Sequence, residues 1–114
     1  MSVRTSIIAA LVLCGAVALA PAAARADNSV VELRFENHRF SPASITVPAG
    51  APLTVKVMNA SNETIEFESF RLNREKAVEP GESIAVRLPA LSAGTYDFYD
   101  DFHQDVPQGS ITAK

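Results

Sequence analysis

Gly94-Thr95-Tyr96-Asp97-Phe98-Tyr99-Asp100-Asp101-Phe102-His103, closed by Gly109-Ser110-Ile111-Thr112-Ala113, carries the densest signal in the 114-residue chain. Ser92-Ala93-Gly94 is a turn by composition. Thr95 to Tyr99 is rich in β-formers and reads as a strand, and Gly109 to Ala113 reads as the last one. The same period-two pattern recurs on working back toward the N-terminus. Ile84, Val86 and Leu88 alternate with Ala85 and Arg87, after a turn at Pro80-Gly81. Thr64 to Phe70 is another β-rich run. Leu53, Val55 and Val57 alternate with Thr54 and Lys56. Ile45-Thr46-Val47 runs into the Pro48-Ala49-Gly50 turn, and Val31, Leu33 and Phe35 alternate with Glu32 and Arg34. Alternation at period two marks half-buried strands. Six or seven short strands between Pro/Gly turns, without a long helical pattern, predict an all-β antiparallel sandwich or barrel.

The first residues read differently. Arg4 precedes an apolar run from Ile7 to Ala20, and Ala24-Arg25-Ala26 supplies the small-x-small pattern of a signal-peptidase site. Residues 1–26 are therefore expected to be a secretory signal peptide. Residues 27–114 are then the domain, in the periplasm or secreted. The single cysteine, Cys14, lies in the apolar run, so the remaining 88 residues hold no thiolate or disulfide. Only Arg4 and Arg25 of the basic residues fall in 1–26, which has no acids. The domain therefore carries eight basic and 13 acidic groups, a formal net charge of −5. Nothing in it forms the basic cluster that nucleic acid requires. No Ser-His-Asp grouping or Gly-rich phosphate loop is present, so enzymatic chemistry goes no further than assisting the oxidation of ferrous iron.

Two stretches carry a family resemblance. Phe40-Ser41-Pro42-Ala43-Ser44-Ile45-Thr46-Val47-Pro48-Ala49-Gly50 resembles the F-x-P-x-x-I-x-V-x-x-G opening of cupredoxins. Gly94 to His103 with Gly109-Ser110-Ile111 resembles their final hairpin, G-x-Y-x-F/Y-x-C-x-x-H followed by a methionine and a glycine. The resemblance implies a Greek-key, cupredoxin-like β-sandwich whose loops meet at one end. It places Asp100 in the copper-cysteine slot and His103 at the C-terminal histidine. The methionine slot falls on Val106 or Pro107. Where the upstream histidine normally follows the loop, here Asn59 to Glu63, this chain has Ile65-Glu66-Phe67-Glu68. That pattern is similar to EfeO-type cupredoxin-like domains, which accompany periplasmic iron uptake and inner-membrane iron permeases. Glu66-Phe67-Glu68 and the stretch from Arg74 to Gly81 carry that likeness.

The resemblance implies a metal site of His103, Asp100, Glu66 and Glu68, with His38 and Asp105 as further candidates. Type 1 blue copper needs a thiolate in a His2Cys site, so it is excluded. Carboxylates with imidazole suit iron, manganese or tetragonal Cu(II). Glu66 and Glu68 are two apart on a predicted strand and share a face, with Ile65, Phe67 and Ser69 on the other. Each residue also has a plainer reading. The glutamates could be a solvated edge face, Asp100 and Asp101 turn residues, and His38 and Asp105 solvated loop residues. Met58, Tyr96, Phe98 and Phe102 are expected to be core. The leading expectation is a metal-binding accessory of iron (Fe2+ or Fe3+) uptake that works with an inner-membrane iron permease. A copper-handling protein and a metal-free interaction module are the alternatives.

Overall fold

The computed structural model describes residues 15–16 and 28–114. Apart from residues 15 and 16, the expected signal segment, with Cys14, lies outside the described residues. Nine strands follow: β1 (Ser29–Glu36), β2 (Arg39–Ser41), β3 (Ser44–Val47), β4 (Leu53–Asn59), β5 (Ile65–Ser69), β6 (Arg74–Val78), β7 (Ser83–Leu88), β8 (Gly94–Asp100) and β9 (Gly109–Ala113). They form a four-stranded sheet, β2-β1-β4-β7, and a five-stranded sheet, β3-β9-β8-β5-β6.

The alternating residues of both sheets supply one core. Leu33, Phe35, Val55, Val57 and Val86 come from one sheet, and Ile65, Phe67, Phe98 and Ile111 from the other. Phe40 sits between the layers, edge-on to Phe35, Phe67 and Phe98 at centroid separations of 5.0, 6.4 and 5.2 Å. Gly109 lies opposite Phe98 in the β8–β9 ladder. A Cβ at that position would collide with the Phe98 ring, so the last strand can close on the aromatic core only with glycine there.

Seven ladders join the strands. Five are antiparallel, but β1 pairs parallel with β4 and β3 parallel with β9. Period-two alternation is the same for either direction, so the sequence could not separate them. Parallel neighbours require long connections, and here each connection passes through other strands. β2 and β6 are additions to the expected set. β2 is three residues long, and β6 opens on Arg74-Glu75-Lys76, whose charge hides its strand character.

Two core expectations are corrected. Met58 lies on the outer face of the four-stranded sheet, because Val57 and Asn59 take the inward positions. Its Sδ accepts a hydrogen bond from Ser83 Oγ at 2.9 Å. Phe102 follows the end of β8 and is 51% exposed, whereas Tyr96 and Phe98 are buried.

Candidate metal centre

The inner face of β8 reads Tyr96, Phe98, Asp100, so the strand period that buries two aromatics also buries an aspartate. Asp100 is fully buried, and its carboxylate is fully engaged. Oδ1 accepts the backbone N–H of Glu66 at 2.9 Å and of Phe102 at 3.0 Å. Oδ2 lies 2.7 Å from His103 Nδ1. The second of these contacts is the aspartate-turn geometry that lets Asp end a strand. His103 N–H donates to Asp100 O at 3.2 Å, completing the turn. The turn reading and the site reading of Asp100 thus meet in one residue.

Asp100 fixes what His103 can do. In the neutral imidazole, an Nδ1–H that donates to the Asp100 carboxylate leaves Nε2 with its lone pair; in the protonated ring both nitrogens donate. Nε2 lies 3.3 Å from Glu63 Oε2, and the imidazole side chain is 25% exposed. The hydrogen bond to Asp100 raises the His103 pKa against the opposing effect of burial, with smaller contributions from the charges of Asp100, Glu63 and Asp105. Asp105 therefore acts on the site only through its charge. It is exposed.

Glu63 reaches the site because Asn59 shapes the β4–β5 loop. Asn59 is fully buried. Its Nδ2 donates to Glu63 O at 2.7 Å and to Val78 O at 2.9 Å. Its Oδ1 accepts Ser61 N–H at 3.0 Å and Ser61 Oγ–H at 2.6 Å. The third contributor is His38. Asn37 and His38 form a two-residue turn between β1 and β2 with φ of 54° and 56°. That is the left-handed pair a tight hairpin requires. The turn brings the His38 ring to 6.3 Å from the His103 ring. A cleft of about 380 Å³ opens beside His38, lined by Glu36, Asn37, Ser61 and Glu63 among others. The sequence reading missed Glu63. Its only signal was a polar loop residue just before the Ile65-Glu66 run.

Glu66 and Glu68 do not join this group. The β5–β8 register pairs Phe67 with Asp100 and Glu68 with Tyr99. Cross-strand partners share a face, so Phe67 points inward with Asp100 while Glu66 and Glu68 point outward with Tyr99. The expected four-ligand set of His103, Asp100, Glu66 and Glu68 is therefore two groups on opposite sides of the sheet. On the outer side, Glu66, Glu68 and Asp101 each place a carboxylate oxygen within 4.8 Å of the others.

The donor set decides which metal chemistry fits the loop end. Among the described residues there is no thiolate. Asp100 stands in the slot that the resemblance gives to the copper cysteine, and the methionine slot falls on Val106, which is buried in the core, or on Pro107, neither of which offers a side-chain ligand. A type 1 copper centre does not fit. Two imidazoles and a carboxylate suit a borderline or hard ion in kind, but the ligand atoms of His38, His103 and Glu63 do not all come within 4.8 Å of one another, as those of Glu66, Glu68 and Asp101 do.

A two-sheet sandwich with a histidine-bearing loop end defines a cupredoxin-type scaffold. The family model for the cupredoxin-like domain matches residues 7–113, and the chain belongs to that family. An uncharacterized protein of Rickettsia prowazekii (strain Madrid E) is 41% identical over 86 residues, covering 75% of this chain and 69% of the relative. Auracyanin A, a "blue" copper protein from Chloroflexus aurantiacus, superposes with a TM-score of 0.65 at 17% identity, over 77% of this chain and 100% of auracyanin. The metal-binding domain of the Streptococcus pneumoniae D39 Cu(I)-exporting P-type ATPase CopA, solved with Cu(I), gives 0.64 at 16% identity, over 79% and 98%. These two likenesses show the fold, which is thus one shared with copper-binding proteins.

Proposed function

We propose that this chain is a periplasmic metal-binding accessory of the EfeO type that captures iron and passes it to an inner-membrane permease. The observation that carries the reading is the loop-end group of His38, His103 and Glu63, with Asp100 turning His103 Nε2 outward. Two histidines and one carboxylate form the donor set of non-haem Fe(II) sites. The site lies in surface loops, which suits a cargo that must be released. Iron here is the substrate of the protein. Residues 1–26, with their signal-like pattern, support delivery to the periplasm.

Copper handling is the second reading. The copper-binding proteins that share this fold favour it, as does the higher affinity of Cu(II) for nitrogen and oxygen donors in general.

The test is thermal melting of the full chain with Fe(II) under anaerobic conditions, Fe(III), Mn(II), Cu(II) and Zn(II). A ligand at 100 times its Kd stabilises by roughly 2.7 kcal/mol. Iron-selective stabilisation, lost in His103→Ala, is expected. Stabilisation by Cu(II) alone would replace the iron reading with the copper one. No shift with any metal would overturn both.

A further inference from the structure

The two ends of the sandwich differ in charge. The connections at the end that holds His38 and His103, residues 37–38, 60–64, 79–82 and 101–108, contain Glu63, Glu79, Glu82, Asp101 and Asp105 and no lysine or arginine. Those at the opposite end, residues 48–52, 70–73 and 89–93, contain Arg71 and no carboxylate. More cations lie close to that end. Arg74 opens β6, and Arg87 is the last residue but one of β7. These two strands are edges of their sheets. Arg74 Nε and Nη2 donate to Arg87 O at 3.4 and 3.2 Å, which joins the two edges. The groove between them is lined by Arg74, Lys76 and Arg87, with Glu75 as its one carboxylate. The ion pairs among the described residues are those of Arg34 and His103, so Arg71, Arg74, Lys76 and Arg87 are all without a carboxylate partner.

Phe70 stands beside these charges and lines a hollow with Arg74. It leads the 70–73 turn and is 89% exposed, the most exposed large hydrophobic side chain among the described residues. The turn is firmly held. Asn73 N–H donates to Phe70 O at 3.1 Å. Leu72 is buried, and its N–H donates to Ser69 Oγ at 3.3 Å. Ser69 Oγ in turn donates to Asp97 O at 2.6 Å. The Arg71 guanidinium donates to Thr95 O and lies 4.8 Å from the centre of the Tyr96 ring. Protection of an edge strand accounts for Arg74, which covers the Arg87 carbonyl. It does not account for Phe70, since an exposed apolar ring is what such protection removes. A ring held in water among cations suits the boundary of a bilayer, where the ring enters the headgroup layer and the cations meet lipid phosphate. Glu68 and Glu75 line the same hollow and fix the tilt, because they have to stay clear of an anionic surface.

We propose that the corner formed by Phe70, Arg71, Arg74, Lys76 and Arg87 docks on an anionic phospholipid surface, with Phe70 at the headgroup level and the acidic loop end turned away. Residues 27–114, with eight basic and 13 acidic groups, are repelled as a whole by such a surface, so the corner is the part that approaches it. Binding therefore orients the molecule as well as holding it. The chain also enters the domain from this end. Ser29 N–H donates to Pro52 O at 3.1 Å, and the apolar run from Ile7 to Ala20 lies ahead of it. The corner shares no side chain with the histidine group and does not depend on the metal reading.

Tryptophan fluorescence is the test, because the chain has no tryptophan of its own. Phe70→Trp in the full chain puts a single indole on the turn, and Phe102→Trp puts one at the loop end. Each is mixed with vesicles of phosphatidylcholine and phosphatidylglycerol, or of phosphatidylcholine alone, with brominated acyl chains as the quencher. On the anionic vesicles the Phe70→Trp emission is expected to shift to the blue and to be quenched, less so as salt is added. Phe102→Trp is expected to keep its emission. Adding Lys76→Gln and Arg87→Gln to Phe70→Trp should weaken partitioning roughly fivefold for each cation lost. Both side chains are exposed, so the melting temperature should hold. Equal quenching on phosphatidylcholine alone would assign the contact to the apolar run from Ile7 to Ala20 and overturn the proposal. Quenching of Phe102→Trp, or partitioning unchanged by the glutamine pair, would overturn it too. The same blue shift with poly-glutamate in place of vesicles would give the corner to an acidic protein and not to lipid. Failure of iron to stabilise the chain would leave the vesicle result standing, so the two readings fail separately.

Discussion

Asp100 and Glu66 are buried carboxylates on adjacent strands, one on each side of the same sheet, and their surroundings differ in kind. Asp100 receives two backbone N–H groups and the His103 imidazole. Glu66 meets three other carboxylates, and their charges add to burial in raising its pKa. The comparison separates two uses of a buried acid. One side chain is part of the architecture and aims a histidine. The other is crowded by like charges, which make it hold its proton more tightly than an ordinary glutamate.

The largest expected effect breaks the first half of that contrast. Asp100→Ala leaves the Glu66 and Phe102 N–H groups and His103 Nδ1 without their acceptor. It should destabilise by about 2–4 kcal/mol, read as a fall in melting temperature of roughly 4–8 °C per kcal/mol. A cost no greater than that of Asp101→Ala would show that Asp100 is not structural. Asp100→Asn sharpens the point. Its carbonyl can still accept the N–H groups, but its amide would donate to Nδ1 and move the imidazole proton to Nε2. Metal affinity at the loop end should fall roughly 10–100-fold.

A smaller effect concerns the second half. In buffer with a chelator, folded Glu66 binds its proton with a pKa near 7 against a usual value of 4.5. Between those values the folded chain holds more protons than the unfolded one, so stability falls as pH rises. His103, whose pKa is also raised, adds a loss of the same sign as pH climbs from 6.5 through its folded value. Urea unfolding across this range should show a declining stability, and Glu66→Gln should remove the part of the decline below pH 7. An unchanged profile in that variant would remove Glu66 as the titrating group.

Much of this was legible in the sequence, and the part that was not has a common cause. Alternation gave the strands, and Gly94 to His103 gave the hairpin that carries Asp100 and His103. The shared face of Glu66 and Glu68 was also readable, because period two is local. Which face that was could not be read. It depends on the register that sets Phe67 opposite Asp100, a relation between residues 33 apart in sequence. Glu63 was missed because a loop residue has no periodicity, and its placement comes from the Asn59 side chain. His38 was readable as a loop histidine, but its approach to His103 depends on the left-handed turn at Asn37-His38.

The smallest effect belongs to the opposite sheet. Arg34 and Glu36 form an exposed ion pair at 2.8 Å, with half or more of the Arg34 side chain in solvent. Arg34→Ala should change stability by less than about 1 kcal/mol and leave the loop-end metal response unaltered. A change in that response would mean that the two sheets are coupled, and the contrast between the two regions would lose its footing.

The strand order also bears on how the chain reaches this state. β3 has β9 as its ladder partner, and β9 lies between β3 and β8 rather than at an edge. The five-stranded sheet therefore cannot be assembled progressively from the N-terminus. Residues 44–47 wait unpaired until residues 109–113 are available. Topologies dominated by such distant pairings fold in roughly milliseconds to seconds. A chain emerging from a ribosome or a translocation channel is held open until its last strand is free, and the sheet that carries Asp100 is completed only in that closing event.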